Sequence, residues 1–429
     1  MKTKIIATIG PSTWHIATVR KMYRYGMDIA RINASFADKA ELERVKKLYH
    51  KVSPLITMMV DTVGFKIRLD KTNPEISLKK GETVKISSKP TKDNVLGLDY
   101  ALFEKDTRVG DRILIDDGLV QLKITAVTPE YIEAKALTSC TIKKGKTLAL
   151  PDSHLSFTDA ISEKDKINID NAMAVGYDYL NISFVRNIQD IRAIRQYIGS
   201  AKLSIIAKVE NGEGIQSIDE VLPYVDALMI PRGDLAVETP FENLPIIQKE
   251  MAIKAAQFGK PVIYASQILD SMKNNRFPLR AEISDLGNAV FDRADAIMLA
   301  QETAIGAYPA TTVQTARKIL DRVETSFSLD PLFTDDFILE TLSQSAKNPK
   351  TKEIVEKALQ VDYQLANGYK FSSPYGLDTY KTMQEFWYEL EPLVYLSKLR
   401  KPLTISFESP DARAIRQVNL LYGVRGKLV

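Results

Sequence analysis

Eight short apolar runs recur along the chain: KIIATIG, MDIARINAS, TMMVDTVG, YLNISFVR, SIIAKVEN, ALMIPRGD, PVIYASQ and AIMLAQET. Amphipathic segments separate most of them. In IQDIRAIRQYI, for example, Ile188, Ile191, Ile194 and Ile198 fall at helical spacing. Alternation of strand and helix predicts a parallel sheet, and eight such units predict an α/β fold of the (β/α)8 TIM-barrel type.

Polar residues gather at the carboxyl end of each run: Ser12; Arg31 with Asn33 and Ser35; Asp61 with Thr62; Ser183; Lys208 with Glu210; Arg232 with Asp234; Ser266 with Gln267; and Glu302 with Thr303. In parallel barrels that end is the face on which an active site is built. Capping of strands before solvent accounts for one or two such residues, hardly for all eight groups.

The spacing of the runs is interrupted once. Between the third and fourth, over residues 66–150, the sequence reads as β structure, with ETVKISS, RILIDDGLVQLKITAV and YIEAKALTS separated by polar turns. An inserted β domain on the catalytic face would form a lid. The barrel domain is therefore expected at 1–65 and 151–325, re-entered through a helix starting at Ser162-Glu-Lys-Asp165, a segment of capping-box character. From 326 to 429 the pattern predicts a shortened α/β domain. In it TKEIVEKALQVDYQLA is a helix and KPLTISFESPDARAIRQVNLL a strand, a turn and a second helix. The aromatic-rich stretch YKFSSPYGLDTYKTMQEFWYELEPLVY reads as core or subunit interface.

Composition narrows the function classes. The chain carries 58 Lys and Arg against 54 Asp and Glu, interspersed rather than gathered in a stripe, so nucleic acid is not an expected partner. No apolar stretch approaches the roughly 18 residues of a membrane span, and the amino terminus lacks the long apolar core of a signal peptide. The one cysteine, Cys140, suits a reducing compartment, and a cytoplasmic location is expected. The three histidines, His15, His50 and His154, do not end core strands, so neither a His-ligated zinc site nor a Ser-His-Asp triad is expected.

Chemistry must then rest on Lys, Arg, carboxylates and hydroxyls, and Lys208, Glu210 and Asp234 are the most telling. Two carboxylates can hold Mg²⁺ by oxygen, and a nearby ammonium can neutralise a transferring phosphoryl group. Alone, a Lys-x-Glu at a strand end reads more often as a salt bridge or a solvated rim. Its company along the chain alters that reading.

KIIATIGPS, MDIARINAS, VDTVGFKIR, RILIDDGL, SEKD, ISFVR, AKVENGEG, MIPRGDLAVE, ASQILDSM, RAEISDLGNAVFDRADAIML and SPDARAIRQVNLLYGV together resemble the motifs of the pyruvate kinase family, in order over nearly the whole chain. The resemblance implies a barrel, a lid after the third strand and a carboxy-terminal α/β domain. It also implies a phosphotransferase that uses Mg²⁺ (or Mn²⁺) to move a phosphoryl group between phosphoenolpyruvate and ADP, with pyruvate and ATP formed. On that resemblance Lys208 would balance phosphoryl charge, Glu210 and Asp234 would hold the metal, and Arg31 and Arg68 would grip phosphate oxygens. Ser183 and the N–H groups of Gly233 and Asp234 would receive the substrate. Ser266, where the family usually has Thr, would keep a hydroxyl for relaying a proton to the enolate carbon. Asn33, Ser35, Asp61 and Thr62 match the family's monovalent-cation site. Lys66 stands where potassium-dependent members have Glu, so K⁺ is not expected to be required.

Several positions depart from the family: Val63 for Lys, Phe65 for Pro, Phe36 for His, Ala300-Gln301 for Ser-Gly, and Pro231 for Ala. Those at 36, 63 and 65 fall where lid, hinge and nucleotide would meet. After LLYGV the chain ends at RGKLV, where the family normally continues. A homo-oligomer is expected, with the usual tetramer and activation by a sugar bisphosphate both put in question. Two alternatives remain at this stage. One is an enzyme using the same metal-enolate site on another 2-oxo acid or acceptor, and the other is a non-catalytic paralogue that binds a metabolite or partner.

Overall fold

The computed structural model describes residues 2–89, 95–157, 159–325, 340, 345–360, 369–373, 376–398 and 405–429, without the side chains of 357–360 and 369–370. The eight apolar runs form the strands Lys4–Thr8, Ile29–Asn33, Thr57–Asp61, Tyr179–Ile182, Ser204–Lys208, Ala227–Pro231, Val262–Ala265 and Ala296–Leu299. Each pairs in parallel with its neighbours. The eighth closes on the first through registers such as Lys4 with Ala296, giving the closed barrel that the pattern predicts.

Alternation along each strand sorts its side chains between two cores. Ile6, Ile29, Met59, Tyr179, Ile206, Met229, Ile263 and Met298 cluster inside the barrel. Their neighbours Ile5, Ala30, Met58, Val60, Leu180, Ile205 and Leu228 join the outer core beneath the helices. Both faces are dry, as a parallel sheet requires. The period of two has a direct consequence for chemistry: Arg31, Asp61, Lys208 and Pro231 each lie two residues beyond an inward-facing position, so their side chains share the inner face at the barrel mouth.

The segment between the third and fourth barrel strands contains a six-stranded sheet and a two-stranded one, around a separate core that includes Ile86, Phe103, Ile115, Leu122 and Ile132. The hairpin in RILIDDGLVQL turns at Asp116, Asp117 and Gly118, all with positive φ. The chain re-enters the barrel at the helix Glu163–Val175, whose N-cap Ser162 accepts from the Asp165 N–H. Asp165 is buried, and its carboxylate accepts from the N–H groups of Val63 and Gly64 at 2.7 and 3.0 Å. One acidic side chain therefore ties the chain's exit from the barrel to its return.

The expected boundary near 326 lies outside the described residues, as do the end of the helix read through 366 and the start of the strand read from 401. The described part holds a helix Pro349–Gln360 and a three-stranded parallel sheet of Tyr369–Ser372, Ile405–Ser409 and Val424–Leu428. The last strand uses RGKL, to which the sequence reading assigned no structure. This unit seals the amino-terminal end of the barrel. Leu420 enters the inner barrel cluster, Arg416 Nε donates to Asp178 at 2.9 Å, Ser204 Oγ donates to Gln417 Oε1 at 2.7 Å, and Lys4 Nζ donates to the Val424 carbonyl at 2.6 Å.

Candidate active site

At the opposite, carboxyl-terminal mouth a cavity of about 170 Å³ is lined by Arg31, Asn33, Ser35, Asp61, Thr62, Lys66, Arg68, Ser183, Lys208, Glu210, Asp234 and Ser266. Of the residues to which the family resemblance gave a role, all but Gly233 line it directly. Gly233 adjoins Ser266: a Cβ there would stand in van der Waals contact with the Ser266 side chain, 3.4 Å from its Cβ. Ser12, Arg232, Gln267, Glu302 and Thr303 lie off the cavity. Glu302 accepts from the N–H groups of Leu269 and Ala300, and Thr303 Oγ1 donates to the Thr8 carbonyl at 2.9 Å, so these two hold loops.

Asp61 is the electrostatic hub. Arg31 grips it with Nε at 3.0 Å and Nη2 at 2.6 Å, Asn181 Nδ2 donates at 2.6 Å, and Lys208 Nζ lies 3.2 Å away. Burial alone would raise its pKa, but the Arg31 and Lys208 charges outweigh burial and hold the carboxyl well below its usual range. Lys208 also contacts Glu210 at 3.0 Å and donates to Ser183 Oγ at 2.8 Å. Burial pulls its pKa down, yet Glu210 and Asp61 more than compensate, so the ammonium stays charged. Ser183 in turn donates to the Thr62 carbonyl at 2.8 Å, which fixes the hydroxyl that receives Lys208.

Glu210 is fully buried. The Phe184 N–H donates to its Oε2 at 2.7 Å, whereas Oε1 has only the ion contact with Lys208 and no hydrogen bond. Burial, reinforced by Asp234 and opposed by Lys208, raises its pKa. An under-satisfied carboxylate oxygen facing a second carboxylate fits a divalent cation that takes a few oxygen ligands from protein and the remainder from substrate and water. Asp234, half-buried at the start of the helix Arg232–Glu238, is paired with the Lys66 ammonium, which also lies 5.2 Å from the centroid of the Phe184 ring. Lys66 thus reaches Asp234, while Asp61 beside Asn33 and Thr62 is held by Arg31 and Lys208.

One residue, Asn181, and the role of another, Arg232, were missed in the sequence. Asn181 sits in the middle of an apolar strand, and its inward parity with Ser183 is the signal that would have found it. Arg232 clamps a strained loop. Ser266 and Gln267 have φ of +72° and +53°, and the guanidinium holds their carbonyls at 2.9 and 3.4 Å while its other nitrogen contacts both oxygens of Asp285 at 2.6 and 2.7 Å. Among the departures, Phe65 stacks on Phe157 at 4.7 Å between centroids, with the Arg186 guanidinium 5.2 Å from its centroid, and Phe36 is 87% exposed.

Residues 1–313 match the family model described as pyruvate kinase, barrel domain. The chain belongs to the pyruvate kinase family. It is 39% identical to a pyruvate kinase of Bacillus licheniformis over 339 residues, covering 75% of this chain and 57% of that protein. It is 34% identical over 396 residues to a pyruvate kinase of Clostridium perfringens, covering 87% and 82% respectively. The crystal structure of a pyruvate kinase from Cryptosporidium parvum superposes with a TM-score of 0.88 at 28% identity, over 100% of this chain and 87% of that one. Against several bacterial pyruvate kinases the match spans only 56 to 57% of the relative's length.

Proposed function

We propose that this member of the pyruvate kinase family moves a phosphoryl group between phosphoenolpyruvate and ADP, with pyruvate and ATP formed. The observation that carries the reading is the convergence of Lys208, Glu210, Asp234, Arg31, Arg68 and Ser266 on one cavity at the barrel mouth. Glu210 and Asp234 would hold Mg²⁺ or Mn²⁺, which supplies charge neutralisation for the enolate and phosphoryl oxygens. Lys208, held charged by Asp61 and Glu210, offsets charge on the phosphoryl group in transit. Arg31 and Arg68 contribute guanidinium donors to phosphate oxygens, and the first-turn N–H groups of Gly233 and Asp234 accommodate the substrate carboxylate. Ser266 Oγ, beside Gly233, is the hydroxyl from which a proton would reach the enolate carbon.

Lys66 would supply the positive charge that K⁺ provides in relatives with Glu at this position, and the rate is expected to be insensitive to added K⁺ at constant ionic strength. Strong K⁺ activation would contradict that assignment. A homo-oligomer would form through apolar side chains exposed after the sixth and seventh barrel strands, among them Phe241, Ile246, Phe277 and Leu279. A cytoplasmic location fits the one free cysteine and the lack, among the described residues, of any helix long and apolar enough to cross a membrane.

The deciding experiment measures pyruvate released from phosphoenolpyruvate with Mg²⁺ and a panel of nucleoside diphosphates. Lys208→Ala is expected to lose turnover by a factor of about 100 or more. Pyruvate formation that survives this substitution, or none from the native protein with any diphosphate, refutes the reading.

A further inference from the structure

A second cavity, of about 620 Å³, opens at the other end of the barrel, between the amino-terminal ends of the sixth and seventh strands and the carboxy-terminal unit. Its walls are aromatic: Tyr224, Phe258, Trp387, Tyr388 and Tyr395. The fold builds this wall deliberately. Gly259 has φ +63°, and a Cβ on it would stand 2.9 Å from the Tyr395 ring, so only glycine lets that ring close the cavity. Tyr395 is further pinned by a 2.6 Å hydrogen bond between its hydroxyl and Ser345 Oγ.

The charges around the cavity do not cancel locally. Both carboxylates are committed: Asp226 accepts from Arg195 Nη2 at 2.9 Å and from the Ile205 N–H at 2.7 Å. Glu391 accepts from the N–H groups of Lys347 and Asn348 and from Thr351 Oγ1. Arg195 is also engaged by the Tyr224 carbonyl at 3.1 Å. Lys260 and Lys347 also line the cavity, and neither ammonium has a hydrogen bond or ion pair among the described residues. Lys260 is half-buried, and burial pulls its pKa down to about 8 against the opposing pull of Asp226. A half-buried cation with carboxylates near it but no direct ion pair, facing a space walled by rings, is the complement of an anion carried on a flat body.

We propose that this cavity is a binding site for a small ring-bearing anion, a carboxylate or a phosphate monoester, with its charge on Lys260 and Lys347 and its ring against Trp387 and Tyr388. The site is separate from the catalytic mouth, but the two share elements. Trp387 Nε1 donates at 3.1 Å to Ser204 Oγ, the first residue of the strand that ends in Lys208.

The chain has two tryptophans, so a Trp14→Phe background leaves Trp387 as the sole indole reporter. Benzoate and phenyl phosphate, titrated separately, are each compared with inorganic phosphate, which lacks a ring. At least one ring-bearing anion is expected to change Trp387 fluorescence saturably, and the two arms tell carboxylate from phosphate. Lys260→Met is expected to weaken that binding by about tenfold or more, the worth of a charge-assisted contact. The exposed Lys347→Met, which leaves the barrel untouched, is expected to weaken it severalfold with an unchanged Tm. The proposal is overturned by no saturable change with either probe, by affinities that ignore both lysine substitutions, or by inorganic phosphate binding as tightly as phenyl phosphate.

Discussion

Arg232 shows how one side chain sets the shape of a site that it does not enter. Its guanidinium is shared between the Asp285 carboxylate and the carbonyls of Ser266 and Gln267, two consecutive non-glycine residues in the left-handed region. Each such residue costs roughly 1–3 kcal/mol unless its surroundings impose it. In Arg232→Met the loop is expected to relax, lowering stability by about 1–3 kcal/mol in denaturant melts. Turnover is expected to fall by up to about 100-fold as Ser266 leaves its position beside Gly233. A full-rate variant would show that the clamp is not needed. At this scale the sequence disclosed the residues whose charge ends an apolar run, such as Lys208, Glu210 and Asp234. It did not disclose those whose role is defined by a distant partner. Nothing local in MIPRGD says that Arg232 will find Asp285, 53 positions on.

Elements were legible wherever the period was clean. All eight barrel strands were read from their apolar runs because a parallel barrel buries both strand faces. The carboxy-terminal strand Val424–Leu428 was not, since RGKL is mostly polar and exposed and becomes a strand through pairing with Ile405–Ser409. The helix Lys39–His50 carries a titratable end. His50 Nε2 lies 3.1 Å from the Ile56 carbonyl, and burial, with Arg416 and Lys46 adding repulsion, lowers its pKa from 6.5 to about 4. The unfolded chain therefore binds a proton there before the folded one does. The stability contributed is complete above pH 6.5 and is lost as the pH falls from 6.5 towards 4. Urea midpoints measured across that window are expected to fall less steeply in His50→Gln than in the native protein, and equal slopes would remove His50 as a contributor.

For the whole molecule, the order of its parts could be read along the chain, but the way they dock could not. The carboxy-terminal unit is held to the barrel by pairs far apart in sequence, among them the buried Arg416 with Asp178 and Lys398 with Asp295. Cutting one partner from a buried ion pair leaves the other charge unpaired at a cost of roughly 3–5 kcal/mol. Arg416→Met is therefore expected to lower the thermal midpoint markedly, and the double change Arg416→Met with Asp178→Leu to recover much of the loss. A double variant no better than the single one would refute this account. No run of residues around 178 or 416 announces the partnership, because a charge at the foot of a strand reads the same whether it meets water or a guanidinium.

The Asp165 carboxylate has a further implication for how the molecule could be taken apart. The polypeptide leaves the barrel at Val63–Gly64 and comes back at Ser162–Asp165, and both crossings meet on that one side chain. Between them the described residues build a separate core of their own. This stretch is in effect a cassette whose two sockets are already fastened together, so exchange of lids between relatives should be cut there, leaving residues 63–64 and 162–165 in place.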